Sequence, residues 1–364
     1  MIVLATQSLT HAGPDKVVVR LFHELTALGC EVRIAYPAGT GEPDVVESLG
    51  ESAVALSVGR ARLAKRYPLW QLATFVRSVA PDVVMTTGRM DLTAGLGRAL
   101  WPRATAWVPR PANDIAANEA GSGRRLRVAN TVLRRLLARA DAIVCQSEPI
   151  RVQLLRWGIA DSKLRVIGNG IEAPATTRPA PAAWPPRHFV AVGRLMHQKG
   201  FDILLESLAA ADLPAGWNLR VFGTGPDADA LTATAQRLQL PVEFAGHTRD
   251  IAKEYQGADV LLAPSRYEGF SNVVLEALSH GTPVVANKSV AGVSEAVLEG
   301  DNGWLSDEPS VAAFSAALQR MTHEPLSLDS ERIAADAVTR LSIRQTAQRY
   351  RDFLGEAASA RRAR

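Results

Sequence analysis

Short apolar runs alternate along this chain with stretches whose apolar residues recur every three or four positions, and polar loops separate the two. Ile2 to Ala5 reads as a buried strand, Val17 to Leu28 as a helix with one apolar face, and Cys30 to Tyr36 as a second strand after the stop at Gly29. Thr10 to Pro14 falls between them as a loop. Val54 to Val58 reads as a further strand. Pro81 to Thr86 reads as the entry to another, with Gly88-Arg89-Met90-Asp91 as the loop beyond it. Ala104 to Val108 and Ala142 to Gln146 extend the strand series, with a loop from Pro109 to Asn113. A strand and turn over Arg165 to Gly170 closes the first half. This β-loop-α-β opening is Rossmann-like, and ligands of such sheets gather at loops beyond the carboxyl ends of the strands.

Residues 173–187, APATTRPAPAAWPPR, are rich in proline and alanine and read as a semi-extended connection. A second α/β series follows. Its strands are His188 to Val192, Leu219 to Phe222, Val242 to Phe244, Val260 to Ala263 and Val284 to Ala286, with helices over Phe201 to Ala210 and around Leu231. Ser330 to Leu354 reads as one or two helices. The expected domains are 1–172, a linker over 173–187, a second domain over 188–335 and a helical segment over 336–364.

Within the second series, PSRYEGFSNVVLEALSHGTPVV from Pro264 to Val285 holds two carboxylates, Glu268 and Glu276, eight residues apart. The first lies in a turn and the second in a short helix capped by Ser271 or Asn272 and stopped by Gly281. A strand, a turn and a helix start make a site where an anion can bind, and also an ordinary strand-helix-strand unit. Arg194 and Lys199 share the loop Gly193 to Gly200. A guanidinium fork and an ammonium there are able to bracket a diphosphate, although such a pair is also common on plain surface loops. Gly223 and Gly225 form a tight turn that admits close backbone approach. Neither GxGxxG nor GxxxxGK[ST] is present, so neither a dinucleotide fingerprint nor a Walker loop applies. Gly13 either lets the first loop approach a ligand or is a plain loop glycine.

Composition narrows the class. The chain has 364 residues, 47% hydrophobic and 21% charged, which suits a globular protein with two cores. No run is long enough to span a bilayer, and MIVLATQS reads as a first strand, too short and uncharged for a signal peptide. Two cysteines, Cys30 and Cys145, in apolar strand-like contexts point to a reducing, cytoplasmic setting, and the seven histidines form no zinc pattern. Net charge is +4, but residues 1–172 carry 22 Lys+Arg against 15 Asp+Glu, while the remainder carries 19 against 22. The front half is therefore +7 and the back half −3. Arg60, Arg62, Lys65 and Arg66 interleave with Leu63, Tyr67, Leu69 and Trp70. Arg124, Arg125 and Arg127 open a second basic run. Basic and aromatic residues together suit an anionic membrane surface, as well as a merely solvated helix face. No recognition helix or aromatic sheet motif accompanies them, which argues against nucleic acid.

GRLMHQKG, FGTGP, EGFSNVVLEALSHGTPVVA, Gly292-Val293-Ser294-Glu295 and the late LSIRQTAQRY occur in this order, and together they resemble glycosyltransferase family 4 over nearly the whole chain. The resemblance implies an α/β protein of GT-B architecture, two Rossmann-like domains facing each other across a cleft. It implies sugar transfer with retention from a nucleotide-sugar donor, most simply a UDP-sugar, without a metal or other cofactor. By position, Arg194 and Lys199 resemble the pair at the donor diphosphate, Glu276 the carboxylate on the ribose hydroxyls, and Glu268 the carboxylate beside the transferred sugar. Phe270, Ser271, Asn272 and Val273 resemble the backbone at the donor phosphates and sugar. Gly13 and Gly223 complete the donor-binding set, and Arg194, Lys199 and Glu268 the catalytic set.

The sequence also departs from the family pattern. HAGPDK replaces paired glycines in the first loop, and Pro14 removes an amide donor. TTGRMD lacks the histidine that many relatives carry, so His11, Arg89 and Asp91 are the acceptor-side candidates. The expected acceptor is a polyprenyl-linked or envelope glycan met on an anionic membrane, with Arg60, Arg62, Lys65, Arg66 and Trp70 as membrane contacts and a peripheral location on the inner face of the cytoplasmic membrane. A small soluble acceptor and a non-catalytic nucleotide-sugar-binding subunit are the alternatives.

Overall fold

The computed structural model describes residues 1–57, 68–111, 124–178, 184–248 and 250–364. The chain divides into two compact units: unit 1 is Met1–Gly170 with Ile343–Arg364, and unit 2 is Ile171–Ser342.

Unit 1 opens β1 (Ile2–Ala5), α1 (Gly13–Ala27), β2 (Val32–Pro37), α2 (Pro43–Leu49), β3 (Ala53–Leu56), α3 (Leu69–Val79), β4 (Val83–Thr87), α4 (Arg89–Gly97) and β5 (Ala106–Arg110). It continues with α5 (Arg124–Leu137), β6 (Ile143–Cys145), α6 (Glu148–Arg156) and β7 (Leu164–Val166). The main sheet runs β3-β2-β1-β4-β5 with every pairing parallel, and β6 pairs with β7. Side chains alternate across it, as the two-residue period of a strand requires. Ile2, Leu4, Val83 and Met85 enter one core, while Val3, Ala5 and Val84 enter the other.

The structure differs from the sequence pattern at three places in this unit. The first helix begins at Gly13 and not near Val17, because Pro14, with its fixed φ and no N–H to lose, suits the first helical turn. The segment after β4 is not a loop. Gly88, at φ 61°, turns the chain straight into α4, so Arg89 and Asp91 are helical. Strand β5 runs through Pro109 and Arg110, a proline tolerated because β5 is the last strand of this sheet.

Unit 2 continues with β8 (His188–Val192), α7 (Phe201–Ala210), β9 (Asn218–Phe222), α8 (Ala228–Arg237), β10 (Val242–Gly246), α9 (Ile251–Gly257) and β11 (Val260–Ala263). After these come α10 (Asn272–Ser279), β12 (Val284–Asn287), α11 (Val293–Ala296), β13 (Gly303–Ser306), α12 (Val311–His323) and α13 (Ser330–Arg340). Six parallel strands lie in the order β10-β9-β8-β11-β12-β13. Cores again fill both faces: Val190, Leu261 and Val284 on one, Phe189, Val260 and Val285 on the other. The described part of 173–187 lies against this unit. Buried Arg178 donates to Asp259 at 2.6 Å and its amide to the His280 carbonyl at 2.7 Å.

The last helix, α14 (Ile343–Arg362), returns to unit 1. Ala347, Tyr350, Phe353, Leu354, Ala357 and Ala358 join its first core cluster. Gly170 is required at this return, since a Cβ there would lie 2.4 Å from Cα of Ile343.

Candidate active site

In unit 2 the strand order reverses between β8 and β11, which places the loops after these two strands at the switch point of the sheet. The loop after β8 carries Arg194 and Lys199, and the loop after β11 carries Glu268. Lys199 Nζ meets Glu268 Oε2 at 2.7 Å, with side-chain exposures of 16% and 9%. The other carboxylate oxygen accepts from Ser265 Oγ at 2.7 Å and Ser271 Oγ at 3.2 Å. Glu268 is thus held by a cation and two hydroxyls. Ser271 precedes α10 but spends its hydroxyl on Glu268 and makes no side-chain cap, unlike the capping expected from sequence.

Further bonds fix these loops to one another. Arg266 donates to both carboxylate oxygens of Asp202, at 2.7 and 2.6 Å, and to the His197 carbonyl at 2.7 Å. The Arg266 amide reaches the Gln198 carbonyl at 2.9 Å, and Gln198 Nε2 reaches the Tyr267 carbonyl at 2.9 Å. Gly200, at φ 69°, passes so close to Pro264 that a Cβ would lie 2.1 Å from its carbonyl oxygen. Arg194 is exposed, with no hydrogen bond or ion pair among the described residues. The loop after β8 thus carries an exposed guanidinium with no partner among the described residues, together with the ammonium of a fixed ammonium-carboxylate pair.

Gly223 and Gly225 play a different part from the one the sequence indicated. A Cβ on Gly223 would lie 1.9 Å from the Gly193 carbonyl oxygen, and one on Gly225 2.1 Å from that of Leu195. The Gly223 amide already donates to Gly246 at 2.7 Å. These glycines let two loops pack backbone to backbone, and the Gly223 N–H is committed within the protein.

Helix α10 leaves the Glu268 turn. Val274, Leu275, Ala277 and Leu278 are buried, while Asn272, Val273 and Glu276 share its half-buried side. Phe270 is buried and its ring lies under Gly292, where a Cβ would come within 2.7 Å. The Ser271 amide reaches the Ala291 carbonyl at 3.2 Å, so GVSE of the later motif supports this turn.

The acceptor-side candidates follow the two strands at the switch point of unit 1, His11 in the loop after β1 and Arg89 and Asp91 in α4 after β4. They differ in character. His11 Nε2 lies 2.7 Å from Asp44 and 3.4 Å from Glu42. This trio is the one grouping of three potential metal-ligating side chains among the described residues, and it is largely exposed. Arg89 is exposed. Asp91 is 2% exposed and accepts from Thr86 Oγ1 at 2.6 Å, while Trp107 Nε1 donates to that hydroxyl at 3.0 Å. Burial pushes the Asp91 carboxyl up to about 8, against the opposing pull of the Thr86 bond and of Arg110. Asp91 is therefore an interior acid, a correction to its expected place facing an acceptor. Nearby, buried Arg110 donates from Nε to the Tyr350 hydroxyl at 2.7 Å and from Nη2 to Asn169.

Asp15 was missed from sequence. It is buried in the first turn of α1, and its Oδ2 accepts from Ser8 Oγ, the Thr10 amide and Thr10 Oγ1 at 2.8, 3.0 and 2.7 Å. An acid one turn into a helix after Ser and Thr was the available signal. It fixes the loop leading to Gly13, the first residue of α1. Of the membrane candidates, Arg60, Arg62, Lys65 and Arg66 lie outside the described residues, and Trp70 on α3 is 68% exposed. Among the described residues, no helix is long and apolar enough to cross a membrane.

Two family models match the chain in tandem: a glycosyl transferase 4-like domain over residues 12–170 and glycosyl transferases group 1 over residues 186–324. Lipopolysaccharide 1,6-galactosyltransferase of Escherichia coli is 28% identical over 204 residues, 54% of this chain and 56% of that protein. A lipopolysaccharide core biosynthesis glycosyltransferase of Rhizobium meliloti is 31% identical over 229 residues, 59% of this chain and 64% of that protein. The chain thus spans only part of the length of these curated relatives. The solved structure of Anabaena HepE in complex with UDP and glucose shares the fold at a TM-score of 0.75 and 20% identity, covering 98% of this chain and 100% of that one. Both halves answer to models of one kind and the fold is shared from end to end, so the chain belongs to glycosyltransferase family 4, with the GT-B architecture.

Proposed function

We propose that this chain transfers a sugar from a UDP-sugar to a lipid-linked or cell-envelope glycan, with retention at the anomeric carbon. The observation that carries the reading is the switch-point arrangement of unit 2, where exposed Arg194, with no partner among the described residues, shares a loop with Lys199 of the fixed Lys199–Glu268 pair, next in the sheet to the turn that leads into α10. As the bond from the anomeric carbon to the diphosphate breaks, negative charge gathers on the leaving phosphate. Arg194 and Lys199 neutralise it without a metal, in a site already built to receive it. The acceptor oxygen bonds to the same face of the anomeric carbon, and its proton passes to the departing phosphate oxygen. Glu268, held in place by Lys199, Ser265 and Ser271, orients the sugar hydroxyls. Glu276 on α10 accepts from the ribose.

Relatives named for lipopolysaccharide synthesis and a fold relative solved with UDP and glucose support the donor and acceptor classes. For the membrane, the support is the basic segment Arg60 to Arg66 followed by exposed Trp70 on α3. Beside Trp70, a largely apolar cavity of about 440 Å³ runs along β3 and is lined by Val54, Leu56 and Phe75.

The test is a panel of nucleotide sugars with the purified chain. Donor turnover and the anomeric configuration of the product are read by NMR. Turnover of a UDP-sugar with a retained α linkage is expected. A chain that binds UDP-sugars but turns over none of them, with either lipid-linked or soluble acceptors, would refute the reading. Anionic-vesicle sedimentation at low and high salt tests the membrane contact separately. Replacing Arg62, Lys65 and Arg66 by Ser should release the protein while nucleotide affinity stays unchanged.

A further inference from the structure

Basic side chains gather at the end of the unit 1 sheet opposite its switch point. A cavity of about 270 Å³ is lined there by Arg98, Ala99, Trp101, Arg103, Arg139 and Arg361. It lies where the chain enters β5, whereas the switch-point loops leave the other ends of these parallel strands. Four guanidiniums face one space, and the acid that pairs with any of them among the described residues is Asp141, 3.5 Å from Arg98 and 3.3 Å from Arg361. That acid also accepts from the Trp107 amide at 2.9 Å, so it serves the backbone as well.

Two of the arginines are preset by backbone carbonyls. Arg98 donates to Thr105 O at 2.6 Å, and Arg361 Nε to Arg103 O at 2.7 Å. The other two, Arg103 and Arg139, are exposed and have no partner among the described residues. Burial holds the Arg98 guanidinium below its usual range. Asp141 opposes that shift, and Arg361 adds a smaller push in the same direction as burial. A separate observation points the same way. Trp101 is 5% exposed, and its Nε1 is a buried donor with no acceptor among the described residues. The Arg98 guanidinium lies over its ring, 5.5 Å from the centroid. A space walled by donors, with a net surplus of positive charge and an unanswered indole N–H, calls for an oxyanion.

We propose that this pocket binds a phosphate group, as free phosphate or diphosphate or as the headgroup of an anionic lipid, at a site separate from the donor diphosphate. The two preset guanidiniums grip the oxygens in fork geometry, Trp101 Nε1 donates to one of them, and Arg103 and Arg139 close over the outside.

The test uses the full chain and three variants. Arg103→Ser combined with Arg139→Ser removes two exposed charges. Trp101→Phe removes the donor and changes no charge. Arg194→Ser weakens the donor site alone. Folding of each is checked by thermal melting. Calorimetric titration with inorganic pyrophosphate should show a binding event that survives Arg194→Ser, weakens at least tenfold in the double arginine variant and weakens about threefold in Trp101→Phe. Sedimentation with phosphatidylglycerol vesicles is the second arm, and a loss there confined to the pocket variants assigns the site to a lipid headgroup. Pyrophosphate and vesicle binding that are both unaffected by the arginine and tryptophan changes would overturn the proposal, as would a failure of wild-type protein to bind either probe. Because Trp101→Phe leaves the charge intact, loss in the arginine variant alone marks general electrostatics and also counts against it.

Discussion

Single residues at the switch point of unit 2 divide into those that hold the site and those left to meet a ligand. Lys199 belongs to both groups. Replacing it with Met strands Glu268, which keeps only its two hydroxyl donors, so stability should fall by about 2–3 kcal/mol in urea denaturation. In the Lys199→Met, Glu268→Gln double variant much of that loss should return, since the uncompensated charge is gone. Arg194→Ala should leave stability within about 0.5 kcal/mol, because its exposed guanidinium has no partner among the described residues. Its turnover should nevertheless drop by about 10²–10³, the usual loss for a donor aimed at developing charge. Equal melting curves together with wild-type rates for Arg194→Ala would remove that residue from the reaction. Asp91 gives a pH signature instead. Its carboxyl rises from 3.8 to about 8 on folding. Below its ordinary value both states are protonated and no difference arises. As pH climbs past that value the unfolded chain gives up the proton while the folded protein keeps it, so stability declines through pH 8. Asp91→Asn has no such proton. Denaturation at pH 5 and pH 8 should show the variant gaining on wild type by more than about 1.4 kcal/mol, the worth of one pK unit. A constant difference would mean that Asp91 is ionised in the folded protein.

At the scale of elements, the strands of both sheets were readable because residues buried on two faces form near-continuous apolar runs, as in His188–Val192 and Val260–Ala263. Helix starts set by glycine and proline chemistry were harder. Gly88 reads as loop until its positive φ is seen to launch α4, and Pro14 reads as loop although it opens α1. The motif glycines were visible but their reason was not. Gly200, Gly223 and Gly225 pack against other backbone, and no one-dimensional pattern reports which strand end lies across from which loop. The same holds for Glu268, whose partners Lys199, Ser265 and Ser271 come from two loops. Gly225→Ala should therefore destabilise unit 2 by about 2 kcal/mol or more, since the Cβ meets fixed carbonyl and not a flexible side chain. It should also lower turnover by spreading the loop that holds Arg194 and Lys199. Gly257→Ala, where nothing lies within 4 Å, is the matched control and should be as stable as wild type or slightly more so. Similar thermal shifts for the two would show that the loop contact carries no strain.

Across the whole molecule, the return of α14 decides both charge and cohesion. Unit 1 with its last helix holds 28 Lys+Arg and 16 Asp+Glu, a net +12, whereas unit 2 holds 13 and 21, a net −8. The split read from sequence order, +7 and −3, understated this because six of the basic residues lie in 343–364. Cohesion follows from the same helix. Unit 2 is one continuous stretch with its own two cores, but unit 1 is completed by a segment that arrives after it. Tyr350, Phe353 and Leu354 fill the core beside α1 and β1, and the Tyr350 hydroxyl accepts from Arg110, which is 2% exposed. Ending the chain after Ser342 uncovers that apolar surface and leaves the Arg110 Nε without its acceptor, a loss of several kcal/mol from burial alone. Scanning calorimetry of the shortened chain should retain the transition of unit 2 and the UDP binding proposed for it, while that of unit 1 shifts sharply down or vanishes. Tyr350→Phe in the full chain isolates the polar part and should cost unit 1 about 1–3 kcal/mol with unit 2 unmoved. If the shortened chain keeps both transitions at their original temperatures, α14 is an accessory to unit 1 and its core is complete without it.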